Sequence, residues 1–126
     1  MSDNAIFVRL FVLAKDDTAA ERLRGSVRQI LSRHGLIVRD VPPKRYWKIP
    51  ELFGVFMVLR PAARLPEAFS AILRELGSPW VEHRSSDGGD WAIWNGSPTA
   101  SFLIPEARWA YLEAGKQPID AGNGEP

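Results

Sequence analysis

Residues 80–95, WVEHRSSDGGDWAIWN, decide the predicted fold because they read as two strands joined by an acidic, glycine-containing turn. Asp-Gly-Gly between apolar runs is a strong signal for a tight turn that joins paired strands. Trp80, Trp91 and Trp94 fall within this short stretch, and an indole ring is most useful where one of its faces can be buried. We therefore predict that this hairpin belongs to the core sheet and that the rest of the chain covers it.

Two other segments, AIFVRLFVLA (5–14) and LFGVFMVLR (52–60), carry apolar residues on both faces of an extended chain. A strand of this kind usually lies in the middle of its sheet, so both are predicted to be central strands. Arg9 interrupts one face of the first segment. We interpret it as an arginine that is paired or reaches water along its apolar stem, with a ligand contact as the alternative. Gly54 in the second segment indicates a bulge or a close backbone approach.

Helix signals follow each of these strands. Thr18 and Glu21 match a capping box, and the apolar stripe that follows predicts a helix to about His34. Residues 66–76 begin with Pro-Glu and repeat apolar side chains at helical spacing, which predicts a second helix. Residues 36–41, LIVRDV, read as a short strand that ends before two prolines.

The order strand, helix, strand, strand, helix, strand indicates an α+β fold of the ferredoxin-like, split βαβ type. We predict an antiparallel sheet of four to five strands with two helices on one face. Residues 106–114 could form a short C-terminal helix or a strand, and their composition slightly favours the helix. Residues 1–116 are predicted to form a single domain, and the polar segment 117–126, rich in glycine and proline, is predicted to be disordered.

Composition excludes several classes of function. Sixteen Lys and Arg against fifteen Asp and Glu give a net charge of +1, which argues against a broad nucleic-acid footprint. The absence of cysteine excludes disulfides, thiol catalysis and thiolate-bound metals. The first apolar run lacks the features of a signal peptide, and no run approaches the ~20 residues of a membrane span. These features predict a cytoplasmic protein without a membrane partner.

One loop holds the residue types of a catalytic site. His83, Ser85, Ser86, Asp87 and Asp90 could supply a nucleophile with its base, or oxygen ligands for a metal ion. Neighbouring strand residues point to opposite faces, however, and no nucleophile-elbow, dinucleotide-binding or P-loop motif is present. The DGGD sequence has an ordinary meaning as turn chemistry. We therefore predict that the protein is not an enzyme and has no catalytic residue, metal or cofactor.

Aromatic and charged residues in two segments are better suited to binding another protein. Residues 44–51, KRYWKIPE, alternate basic and aromatic side chains between prolines, although Trp47 could instead fold back onto the core. The second segment is the hairpin described above. The predicted partner-binding residues are Arg45, Tyr46, Trp47, Glu82, Arg84, Asp87, Asp90 and Trp91.

The C-terminal pattern WAIWNGSPTASFLIPEARWAYLEA (91–114) resembles small bacterial immunity proteins, the inhibitors of polymorphic and contact-dependent growth-inhibition toxins. In several such families a strand that ends in Trp-Asn, here Trp94-Asn95, is followed by a spacer and a Trp-Ala pair, here Trp109-Ala110. The resemblance implies a non-catalytic protein that binds and neutralises a cognate toxin domain.

The net charge of +1 departs from the acidic character of many immunity proteins against nucleases. Either an acidic surface is local, or the toxin is not a nuclease. The candidates for a local acidic surface are Glu82, Asp87, Asp90, Glu106 and Glu113.

A second hypothesis is a ferredoxin-like domain that binds a small ligand or regulates a partner, and that forms a homodimer through a sheet edge or face. A pocket lined by Arg9 and tryptophan side chains would favour it.

Overall fold

A computed structural model describes residues 4–84 and 89–115. Eleven elements follow one another along this part of the chain. They are β1 (Ala5–Leu13), α1 (Asp17–Leu31), β2 (Gly35–Asp40), β3 (Lys44–Arg45), β4 (Leu52–Pro61), α2 (Leu65–Leu76), β5 (Gly77–Ser78), β6 (Val81–His83), β7 (Asp90–Asn95), β8 (Ser101–Phe102) and β9 (Ala107–Gly115).

Seven of the strands form one antiparallel sheet in the order β2-β4-β1-β9-β7-β6, with the short β3 also paired to β4. β5 and β8 form a separate two-stranded sheet. The predicted α+β class is confirmed, as are the central positions of β1 and β4. The predicted count of four to five strands was too low, because β3 and β9 also join the sheet.

Residues 107–115 form a strand, so the slight preference for a helix was wrong. β9 alternates Trp109 and Tyr111 on one face of the sheet with Ala110 and Leu112 on the other, and it pairs with β1 from Ala5 to Val12. A register shift opposite Phe11 accommodates one extra residue in β9. The backbone groups of a central strand need partners on both sides, and this requirement outweighs the helical preference of Ala, Leu and Glu in the segment.

The strand order differs from that of a split βαβ arrangement at one place. In that arrangement the strand after the second helix lies beside the first strand, whereas here β9 occupies that position. The first strand of the large sheet after α2 is β6, which pairs only with β7 and lies at the sheet edge. The predicted hairpin therefore forms, but its first strand is exposed rather than part of the core.

Both helices pack on the same face of the sheet, as predicted. Their buried side chains meet those of β1, β4, β7 and β9 in one core cluster. The helix side chains in it are Ala20, Val27, Ile30, Leu31, Ala68, Phe69, Ile72, Leu73 and Leu76. Neither helix of the described residues is long and apolar enough to cross a membrane.

The ends of α1 differ from the capping-box prediction. Asp16 is the N-cap residue, and its Oδ1 accepts a hydrogen bond of 2.8 Å from the backbone N–H of Ala19. The helix ends at Leu31, and Gly35 lies in β2 instead of ending the helix. A Cβ atom on Gly35 would sit 2.2 Å from the carbonyl oxygen of Arg60, so this glycine allows β2 to approach β4 closely.

An ion-pair cluster ties the end of α1 to α2. The Glu75 carboxylate accepts from His34 Nε2 at 2.6 Å and also pairs with Arg33. The contact with His34, followed by that with Arg33, holds the pKa of Glu75 below its ordinary value, although burial acts in the opposite direction. The cluster therefore connects two helices that otherwise meet only through the core.

Replacement of Glu75 by glutamine should lower the stability by about 1 kcal/mol at neutral pH, since these charges are partly exposed. A carboxylate whose pKa is lowered by folding stabilises the fold fully above its unfolded value of about 4.3, and this stabilisation is lost as the pH falls through the folded pKa. Chemical denaturation at several pH values measures the difference. The difference in unfolding free energy between wild type and Glu75→Gln should shrink as the pH falls below about 4. A difference that stays constant there would contradict the ion-pair role of the Glu75 carboxylate.

Candidate functional site

One face of the sheet has no helix packed on it among the described residues. Strand alternation places a second set of side chains there, and these form two clusters that contain no residue of α1 or α2. We call this surface the helix-free face. Its side chains include Phe7, Arg9, Phe11, Phe56, Val58, Trp91, Ile93, Trp109 and Tyr111.

Aromatic rings form a continuous band across the helix-free face. The ring centroids lie 4.4 Å apart for Tyr46–Phe11, 5.4 Å for Phe11–Trp109, 6.2 Å for Trp109–Tyr111, 6.2 Å for Tyr111–Phe7 and 4.6 Å for Phe7–Phe56. The Trp109 and Tyr111 rings are nearly parallel, whereas the other pairs are tilted or edge-on. Such contacts make the band rigid, because each ring is held by at least one neighbour.

The Tyr111 phenol is fixed within this band. Its hydroxyl donates a hydrogen bond of 2.7 Å to Glu113 Oε1. Burial, together with this carboxylate, raises the pKa of Tyr111 above its ordinary value. The phenol therefore stays neutral near pH 7 and acts as a hydrogen-bond donor that orients Glu113, not as a base.

A pocket of about 520 Å³ opens at one end of the helix-free face, where β1, β3 and β4 meet. Four cationic side chains line it, Arg9, Arg39, Lys44 and Arg45, and none of its lining residues is acidic. We call it the cationic pocket. Its other lining residues are Phe11, Val41, Pro42, Tyr46, Trp47, Gly54, Val55 and Phe56.

Two guanidinium groups in the cationic pocket lie against aromatic rings. The Arg9 guanidinium carbon lies 5.8 Å from the ring centroids of both Phe7 and Phe56. The Arg39 guanidinium carbon lies 5.2 Å from the Phe56 centroid. The Phe56 ring thus contacts two cations, which are attracted to its π-electrons while they repel each other.

The segment KRYWKIPE contributes to the rim of the cationic pocket. Tyr46 is only 5% exposed, since its ring packs on Phe11, whereas Trp47 is 75% exposed. The residue that folds back onto the core is therefore Tyr46, not Trp47. Arg45 lines the pocket, but its guanidinium donates to the carbonyl oxygen of Pro50 at 2.5 Å and lies 4.5 Å from the centroid of the Phe53 ring, which belongs to the helix-side core. Of the predicted partner-binding residues, Arg45, Tyr46 and Trp47 thus lie together.

The predicted residues of the hairpin lie elsewhere and do not share one face. Arg84 Nη2 contacts Glu82 Oε1 at 2.9 Å and Ser70 Oγ of α2 at 3.0 Å, while its Nη1 lies 3.5 Å from Asp90 Oδ2. This cluster is on the helix side of the sheet. Trp91 lies on the helix-free face, where its ring stacks on that of His83 with centroids 5.4 Å apart.

The eight predicted partner-binding residues therefore do not form a single surface. β3 and β6 pair at opposite ends of the sheet, separated by β4, β1, β9 and β7. At about 4.8 Å per strand the two groups are about 24 Å apart. Asp87 lies outside the described residues, as do Ser85 and Ser86 of the catalytic alternative and the predicted disordered segment 117–126.

The helix-free face itself was missed. Phe7, Phe56, Tyr111 and Arg39 were assigned to the core or to no site. The signal was present, because the aromatic residues of β1 and β9 recur with a period of two, and two helices can cover only one face of a sheet. The sequence did not show which face the helices would leave open.

A larger cavity of about 650 Å³ lies between α2 and the strands β5, β6 and β8. Its acidic residues are already paired within the protein, Glu75 with His34 and Glu82 with Arg84. Among residues 4–84 and 89–115, no group of three or more His, Asp or Glu side chains is placed to hold a metal ion. The cationic pocket is the better candidate, since its charges are not balanced by acidic lining residues.

Comparison with protein-family models, curated proteins and solved structures gives no significant match.

Proposed function

We propose that this is a non-catalytic immunity protein of the bacterial cytoplasm, which binds a cognate toxin domain through its helix-free face and blocks the toxin's active site or substrate cleft. The observation that carries the proposal is the exposed Trp47 beside the arginine-lined pocket, with the half-buried Trp91 and Trp109 on the same face of the sheet. Tryptophan, tyrosine and arginine are the residues most enriched at the energetic centres of protein interfaces.

The accessible part of the helix-free face consists mainly of tryptophan side chains. Trp47 is 75% exposed and Trp91 and Trp109 are half-buried, whereas Phe7 and Phe56 are buried beneath their neighbours. A partner that covers these tryptophans would bury large indole rings that the packed rings below already support, so little side-chain freedom is lost on binding.

The charge of this face indicates the character of the toxin. The cationic pocket would meet an acidic surface, while Glu82 and Asp90 lie on the helix side and are paired with Arg84. This arrangement favours a toxin with an acidic docking surface over a nuclease with a basic cleft. Trp109, which belongs to the Trp-Ala pair of the family resemblance, lies within the aromatic band.

We also infer a relation to ferredoxin-like folds for the part of the chain from β1 to α2. Apart from the short β3, its elements follow in the order strand, helix, strand, strand, helix. In this interpretation β9 takes the position of the last strand of that fold, and β6 and β7 extend the sheet.

The test is co-purification of the tagged protein with the product of the open reading frame immediately upstream of its gene. We expect a stable one-to-one complex with a toxic C-terminal domain, and growth of cells that express both proteins. A neighbour that is harmless in cells, together with a protein that elutes alone, would refute the immunity function.

A small-ligand-binding or regulatory domain remains the second candidate function. The cationic pocket favours it, because its lining includes both Arg9 and Trp47. Its volume of about 520 Å³ also lies within the range of small-molecule sites. A metabolite that raises the melting midpoint of the isolated protein would support this candidate, since a ligand that binds only the folded state stabilises it.

A further inference from the structure

We propose that the cationic pocket binds an acidic segment of the partner protein, with two carboxylates held by Arg39 and Lys44 and an aromatic side chain packed on the exposed Trp47. This inference rests on the proposed function and names the chemistry that the toxin presents.

The distribution of ion pairs is the first argument. Five of the nine arginines outside the pocket pair with carboxylates, as Arg24 does with Asp40, Arg33 with Glu75 and Arg84 with Glu82. The other four have no carboxylate partner among the described residues, but they lie singly on α1, β4, α2 and β9. Within the described residues, Arg39, Lys44 and Arg45 have no carboxylate within 4.0 Å. Cations without an acidic partner are therefore gathered in a concave site that has no acidic lining residue.

The placement of two cations is the second argument. The Arg39 guanidinium carbon lies 5.2 Å from the centroid of the Phe56 ring, and Lys44 pairs in register with Gly54 of β4, so both side chains line the pocket. A carboxylate placed beside them would gain charge-assisted hydrogen bonds.

The position of the pocket identifies the source of the carboxylates. The pocket continues directly into the aromatic band through Phe11 and Tyr46, so a ligand seated in it would also contact the proposed interface. The planar guanidinium groups suit carboxylates through paired hydrogen bonds. A peptide segment from a bound protein can satisfy the cations and cover the exposed Trp47 at the same time, which a small isolated anion cannot do.

The test uses two synthetic peptides, acetyl-Gly-Glu-Phe-Glu-Gly-amide and its counterpart with glutamine in place of both glutamates, together with citrate as a free polycarboxylate. Each is titrated into the full-length protein at low ionic strength, and binding is followed by calorimetry and by backbone amide NMR shifts. We expect saturable binding of the glutamate peptide, with shifts concentrated at the end of β2, in β3 and at Trp47. The glutamine peptide should bind at least about tenfold more weakly.

Two double variants each lower the net charge of the protein by two, but at different places on its surface. Arg39→Gln with Lys44→Gln removes two pocket cations, whereas Arg64→Gln with Arg74→Gln removes two exposed cations at α2. The first variant should lose about tenfold or more in affinity for the glutamate peptide, and the second less than about twofold. Thermal melts check that both variants fold.

Several results would overturn the inference. They are failure of the glutamate peptide to shift pocket amides, equal binding by both double variants, and binding of citrate alone, which would assign the pocket to a small free anion.

The affinity of the variants for the toxin distinguishes failure of this inference from failure of the proposed immunity function. If the pocket variant binds the toxin as tightly as wild type, the immunity function stands and the inference fails. If the glutamate peptide binds specifically but no toxin complex forms, the carboxylate site stands and the immunity function fails.

Discussion

Replacement of Phe7 by alanine should lower the free energy of unfolding by about 3–5 kcal/mol. Phe7 is 0% exposed, and its ring contacts Phe56 and Tyr111 on the helix-free face. The truncation leaves a cavity that these two rings cannot close, because they are themselves held by Arg39, Arg9 and Trp109. Denaturant unfolding, followed by circular dichroism and fluorescence, measures the change.

Val81→Ala is the control for Phe7→Ala. Val81 also lies on a strand of the large sheet but is 59% exposed, so its truncation should cost less than about 0.5 kcal/mol. Similar losses for the two variants would mean that the aromatic band is not a second core. A large loss for Phe7 alone would show that the fold depends on packing on both faces of its sheet.

Replacement of Trp47 by alanine should weaken the complex with the toxin by about 2 kcal/mol or more, which is about thirtyfold in affinity. Trp47 is 75% exposed, the most of any large apolar side chain among the described residues, and it lies at the rim of the cationic pocket. Because its ring is in water in the free protein, its removal should change the unfolding free energy by less than about 0.5 kcal/mol. Calorimetry with the purified toxin domain provides the affinity.

Leu103→Ala is the matched control for Trp47→Ala. Leu103 is 51% exposed and lines the cavity beside α2, away from the helix-free face. Its truncation should leave the affinity within about twofold of wild type. If Trp47→Ala binds as tightly as Leu103→Ala, the binding surface does not include the pocket rim, and the group formed by Glu82, Arg84 and Asp90 becomes the next surface to test.

The main elements could be predicted because their signals are local. β1 and β4 are continuous apolar runs, and α2 has a proline at its start and a glycine after its end. Their placement on one sheet with both helices on one face followed from the order of elements. The α1 cap was assigned two residues late, since Asp16 and Thr18 are both good capping residues and only the backbone geometry distinguishes them.

The features that could not be predicted depend on contacts between distant segments. Without β9, one edge of β1 would have unpaired backbone N–H and C=O groups, and this need for a partner favours a strand at residues 107–115. The local sequence of residues 107–115 contains no sign of that need. Gly54 was expected to mark a bulge or a close backbone approach. Its register with Phe11 is regular, and an added Cβ would meet the Phe11 ring at 3.5 Å, an ordinary contact distance. Its lack of a side chain leaves room at the floor of the cationic pocket.

The candidate site was predicted only in part for the same reason. Residues 45–47 were found because basic and aromatic residues alternate there. Arg9 was interpreted as paired or reaching water, with a ligand contact as the alternative, and Arg39 was not considered, because both lie against the Phe56 ring only when three strands come together. The hairpin residues were grouped by nearness in the sequence, but alternation along a strand sends Asp90 and Trp91 to opposite sides of the sheet.

The pairing of β1 with β9 has a consequence for synthesis in the cell. Ala5 pairs with Gly115, so β1 waits for a partner strand that the ribosome makes more than a hundred residues later. Until then the nascent chain can pair β1 with β4 but leaves the other edge of β1 open to strands from neighbouring chains. Contacts so distant in sequence also slow folding, typically to milliseconds or longer. The large sheet, and with it the face proposed to bind a partner, would thus be complete only once β9 has left the ribosome.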